Sequence, residues 1–103
     1  MKTYNKLVRD KIPEIILASG KNFESRTIQG EELITALKLK IQEELVEFDE
    51  AHAPEELADI LEVVHAIAAN IGISLSDLED IRQLKANSNG GFELGIFLIA
   101  ADA

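Results

Sequence analysis

EELVEFDEAHAPEELADILE, residues 43–62, decides how this chain is read. The stretch holds nine of the 19 Asp and Glu residues and no Lys or Arg, whereas the rest of the chain balances ten acids against ten bases. The whole net charge of −9 is therefore local. Pro54 marks a place where one helix can end and another begin, because proline suits a first helical turn and breaks a helix interior. Glu44 and Glu47 are three apart before that break, and Glu56 and Asp59 are three apart after it, a spacing that puts each pair on one helix face. Two facing pairs of carboxylates make a candidate divalent-cation site.

The flanks extend both helices. Leu33, Leu37, Ile41, Leu45 and Phe48 recur at spacings of four and three, which predicts a helix from about Glu31 to Ala51. A second long helix opens at Pro54 with Glu55 and Glu56 in its first turn. Its predicted apolar face is Leu57, Ile60, Leu61, Val64, Ile67, Ala68 and Ile71, and Gly72 ends it. Ser76 is the expected cap of a further helix, which should fail by the run Asn87-Ser88-Asn89-Gly90-Gly91. Towards the N-terminus, MKTYNKLVRDK (residues 1–11) carries four of the ten basic residues and reads as extended. A short helix then starts around Pro13 and stops at Ser19-Gly20. Residues 22–28, NFESRTI, alternate weakly. They predict a short strand, which the apolar tail FELGIFLIA (residues 92–100) either pairs with or leaves free while covering the bundle. The fold class is thus an all-α bundle in one domain, residues 1–103, with two long antiparallel helices carrying the acidic site and a small β pair as an addition.

Composition excludes several functions. Without Cys there is no disulfide framework, thiolate zinc site or Cys nucleophile, and a cytoplasmic location is expected. Charges run through the first thirty residues and no stretch approaches about 20 apolar residues, so neither a secretory signal nor a membrane span is expected. The acidic balance argues against polymeric nucleic acid, whose binding needs clustered Lys and Arg. At 103 residues the chain is near the size at which a partner subunit completes burial, and a homodimer or homotetramer is expected.

Acid-rich helix faces are commonly just solvated. Here Ile41, Leu45 and Phe48 surround Glu44 and Glu47, and Leu57, Ala58, Ile60 and Leu61 surround Asp59. Not all of these carboxylates can point into open water, and burying one unpaired costs several kcal/mol. Oxygen ligands of this kind suit Mg²⁺ or Mn²⁺, with positions left for water and phosphate oxygens. The chemistry that follows is phosphoryl or nucleotidyl transfer to water, with a nucleoside polyphosphate as the natural substrate and one free carboxylate as general base.

Glu44-x-x-Glu47 followed by Glu56-x-x-Asp59 resembles the ExxE…ExxD signature of the MazG-like all-α nucleoside triphosphate pyrophosphohydrolases, which include phosphoribosyl-ATP pyrophosphohydrolase. YNKLVRDKIPEII at residues 4–16 and NGGFELGIFL at residues 89–98 are similar to the opening and C-terminal segments of a related subgroup, so the resemblance covers almost the whole chain. It implies Mg²⁺-dependent cleavage between the α and β phosphates of a nucleoside triphosphate, noncanonical or deoxy ones included. Nucleoside monophosphate and pyrophosphate are then the products, and Glu44, Glu47, Glu56 and Asp59 the metal ligands and catalytic residues. Glu43, about 100° from Glu44 around the helix, stands aside as a neighbouring acid. Candidate phosphate contacts are Lys6, Arg9, Lys11, Lys40, Lys85 and Asn89, against the alternative that these cations pair with the acidic surface. Asn89 and Leu94 stand where an Arg and a Lys occur in many relatives, so two cations of that loop are missing. A non-catalytic acidic module that binds metal or a partner is the competing reading. Glu62-x-x-His65 matches half of a carboxylate di-iron pattern, but the paired acids do not supply the single Glu ligands that this pattern takes from other helices. His52 reads as a loop residue, and Gly90-Gly91 lacks the Lys and Ser/Thr of a phosphate-binding loop.

Overall fold

The computed structural model describes residues 1–103 and is all-helical. Four helices follow in chain order, α1 (Ile12–Ala18), α2 (Gly30–Ala51), α3 (Pro54–Asn70) and α4 (Leu75–Asn89). α2 packs against α3, and α4 touches α3. α3 and α4 meet at a bend of 111°, and no single helix is long and apolar enough to cross a membrane.

Local chemistry sets most of the boundaries. Pro54 stands in the first turn of α3, as the sequence predicts, with Glu55 and Glu56 beside it. His52 ends α2 in the left-handed region (φ 49°), donating its backbone N–H to the Phe48 carbonyl at 2.7 Å while its ring lies 5.1 Å from that of Phe48. Gly72 (φ 86°) turns the chain out of α3, and the Ile73 N–H returns to the Ala68 carbonyl at 2.9 Å, closing the helix end in the way glycine permits.

Three expectations are corrected. The cap of α4 is Ser74, not Ser76: its hydroxyl accepts from the Asp77 N–H at 3.0 Å. Helix α4 already begins at Leu75, so Ser76 falls inside its first turn and cannot be the cap. The same helix runs through Asn87, Ser88 and Asn89 and stops only at Gly90 (φ 84°), because glycine adopts this backbone readily where Asn and Ser merely have lower helix propensity. No strand forms, neither at residues 22–28 nor in the tail. Phe23 and Ile28, five positions apart, would fall on opposite faces of a strand, and Arg26 folds back on Glu32 with a two-pronged ion pair of 3.1 and 2.6 Å. The tail stands out from the bundle, with Phe92 98% exposed and Ile99 90%.

The helix faces also differ from the sequence pattern. Leu37, Val63 and Ala68 are the only buried apolar residues, and Glu44 is buried with them at 5% exposure. Leu45, expected on the inner stripe of α2, is exposed, as are Leu57, Leu61 and Ile71 of α3. Position 44 lies seven residues after Leu37, two turns further along the same face, so it turns inward while Leu45 rotates out. Carboxylate thus fills the place of a core side chain.

Candidate metal centre

One carboxylate oxygen each from Glu44, Glu47, Glu56 and Asp59 lies within 4.8 Å of the others, two from α2 and two from α3. All four are the residues selected by spacing in the sequence. The i,i+3 register aligns each pair, and the short connection at His52-Ala53 lets the second pair face the first. Oxygens opposite one another across an octahedral Mg²⁺ are about 4.2 Å apart, so small side-chain adjustments bring these atoms into range.

Glu44 gives the independent sign that the cluster suits a cation. Its Oε2 is buried and has no hydrogen-bond partner, while its Oε1 lies 3.4 Å from the Lys40 Nζ. Burial first, and then the adjacent Glu47 carboxyl, push its pKa above the ordinary carboxylate value, with Lys40 pulling the other way. When both acids are ionised, neither can donate to the other; a shared proton or a cation is what the pair needs. Buried polar atoms in folded proteins are normally satisfied, and an all-oxygen site suits a hard divalent cation.

The cations named from sequence divide into two groups. Arg9 donates from Nη2 to the Asp59 Oδ1 at 2.7 Å and reaches to 4.0 Å from the Glu62 Oε1. Lys6 donates to the Glu43 Oε1 at 3.0 Å, and Lys40 reaches the same oxygen at 3.5 Å. The Lys6 bond holds Glu43 below the usual carboxylate range and raises Lys6 in return. Glu43 is thereby turned to the basic segment and stands outside the four-carboxylate cluster. Lys11 lines a cleft with Arg9, Lys40, Glu44 and Asp59, a cavity of about 530 Å³. Its remaining walls include Leu7, Val8, Leu33, Leu37 and Val63, an apolar floor beside the carboxylates. Lys85 and Asn89 do not line this cleft, and Asn89 borders a separate depression formed with the tail. Glu62 lies at the cleft edge, but His65 belongs to no acid or His cluster of metal-binding size.

No family model and no solved structure matches the chain. An uncharacterized protein of Mycolicibacterium smegmatis is 49% identical over 41 residues, a segment that makes up 40% of this chain and 42% of that protein. The match thus spans less than half the length of that relative.

Proposed function

We propose that this chain is a MazG-like pyrophosphohydrolase that cleaves a nucleoside triphosphate, noncanonical or deoxy, between its α and β phosphates. The observation that carries the reading is the meeting of four carboxylates within 4.8 Å, one of them with a buried oxygen that nothing on the protein satisfies. Glu44, Glu47, Glu56 and Asp59 would hold Mg²⁺, or Mn²⁺ in its place. The ion, when bound, neutralises the polyphosphate and lowers the pKa of an attacking water. A carboxylate of the four that is not fully engaged takes the water's proton. Oxygen from that water bonds to phosphorus, the bridge between the α and β phosphates breaks, and pyrophosphate leaves the nucleoside monophosphate. Lys40, Lys11 and Arg9 supply positive charge along the cleft, and its apolar walls have room for the sugar and base. Antiparallel packing of α2 on α3, in the manner of that family, would set the two carboxylate pairs opposite one another.

Pyrophosphate release from a panel of canonical and modified nucleoside triphosphates and phosphoribosyl-ATP tests this directly. Turnover with Mg²⁺ or Mn²⁺ that chelator abolishes is the expected result, and the preferred member separates pool cleaning from a biosynthetic step. A folded, metal-loaded protein that turns over nothing on the panel would instead be the non-catalytic binding module.

We also propose that the working form is a homo-oligomer, a dimer or tetramer, acting in the cytoplasm. The chain exposes 9019 Å², whereas a compact monomer of its mass, 11.3 kDa, exposes about 5,700 Å². That excess is several times the roughly 800 Å² each partner contributes to a standard interface. A radius of gyration of 18.0 Å against about 13 Å for a compact chain of this length says the same. Every copy carries the same uncovered tail residues Phe92, Phe97 and Ile99, and a second copy is the partner present wherever the chain is. The tail carries few charges, so copies meet there without bringing the acidic stretches together. Deleting residues 92–103 is expected to shift the protein from oligomer to monomer in light scattering; an unchanged mass would show that the tail is not the contact.

A further inference from the structure

Arg9 is bound to one of the four carboxylates that would hold the metal. We propose that residues 6–9 form a cation-exchange strap: a divalent ion entering the cluster takes Asp59 from Arg9, and the released guanidinium turns to the polyphosphate that arrives with the ion. This rests on the metal reading above and adds a role for the basic N-terminal segment.

The two ion pairs of the strap are unequal in what they hold. Lys6 is fixed on Glu43, which is outside the cluster and shared with Lys40, so an incoming ion leaves this anchor in place. Arg9 is fixed on Asp59, inside the cluster, at 2.7 Å. Metal and guanidinium therefore compete for the same carboxylate, and their like charges repel. The contact they contest is a weak one, since the Arg9 side chain is 54% exposed and that of Asp59 36%, and such pairs are worth about 0.2–1 kcal/mol. Anchor and exchanging group are three positions apart, short enough to keep Arg9 at the cleft it lines. Once free, its fork of N–H donors matches phosphate oxygens, as it matched the carboxylate. In the absence of an ion, the same arginine lowers the mutual repulsion of the acids.

Arg9→Gln separates the two halves of the exchange, because the expected changes have opposite signs. Without nucleotide, Mn²⁺ binding followed by the electron paramagnetic resonance of the free ion should tighten about two- to fivefold, the range set by loss of a surface ion pair. With Mg²⁺ saturating, binding of inorganic tripolyphosphate should weaken about tenfold, as for a lost charge-assisted hydrogen bond. In the wild type, the Arg9 side-chain nuclear magnetic resonance signal should move to the position of unpaired arginine on Mg²⁺ saturation, a readout that needs no variant to fold. Metal affinity in Arg9→Gln that is unchanged or weaker, or an Arg9 signal indifferent to Mg²⁺, overturns the exchange and makes the residue a brace. Failure of the wild type to take up Mn²⁺ overturns the metal reading itself, and the exchange with it.

Discussion

Asp59→Asn is expected to reduce pyrophosphate release by about 10³-fold or more while leaving the helical circular dichroism signal unchanged. The magnitude follows from the several kcal/mol that a bound ion contributes to stabilising charge at a reacting phosphate, each 1.36 kcal/mol being a factor of ten. The amide has nearly the same shape as the carboxylate and carries no charge, so it removes one of four ligand charges with little disturbance of packing. Asp59 stands on the cleft face of α3, only partly buried, and is not among the core residues Leu37, Val63 and Ala68. Loss of its pair with Arg9 is a small term, and Arg9 retains Glu62 nearby. Glu62→Gln is the matched control. Its carboxylate is on the same helix, one turn on and also within reach of Arg9, yet it is absent from the cluster. That variant should keep activity within about threefold, the scale of an exposed ion pair. Equal activity of Asp59→Asn and wild type would remove the site assignment.

How much of this was legible in the chain depends on the range over which each feature is encoded. Pro54 and Gly72 act on their own turn of backbone, and the helix ends they specify are where the sequence puts them. The two acid pairs are also local, three residues apart on one face, and the structure brings together the four named. Orientation of the helix faces was harder to read. Hydrophobicity favours Leu45 inward, but the helical repeat from Leu37 turns Glu44 inward, and the contact of α2 with α3 settles the matter in favour of the acid. Ser74 and Ser76 are equivalent as residue types, and only the hydrogen bond to the Asp77 N–H distinguishes them. The pairing of Arg9 with Asp59 spans 50 positions, a distance at which no periodicity carries information. Tail residues 92–99 are apolar enough for a strand, but a strand needs a neighbour's backbone, which this single chain does not supply.

Glu44→Gln is expected to reverse the usual sense of a substitution at a buried residue, raising stability without metal and lowering it with metal. Glu44 is held at 5% exposure beside Glu47, with one oxygen unpartnered, and its pKa is raised by burial and by that neighbour. A raised carboxyl value means that the folded protein binds this proton more tightly than the unfolded chain does. Its contribution is therefore favourable at low pH and is lost as the pH rises from the unfolded value through the raised one. At neutral pH the metal-free fold thus carries a destabilising charge, and glutamine removes it at almost constant volume while keeping an amide oxygen near Lys40. A gain on the order of 1 kcal/mol is expected, or roughly 4–8 °C in melting temperature for a chain of this size. Metal binding runs the other way, because only the ionised carboxylate coordinates well. Mg²⁺ at a hundred times its dissociation constant stabilises the wild type by about 2.7 kcal/mol, and the variant should lose most of that. Melting curves of the two proteins, taken with chelator and with Mg²⁺, should consequently exchange order, and the metal-free difference should shrink as the pH is lowered and Glu44 takes up its proton. A variant that melts below the wild type in chelator would assign Glu44 to the fold, as the partner of Lys40, in place of a charge kept for a cation.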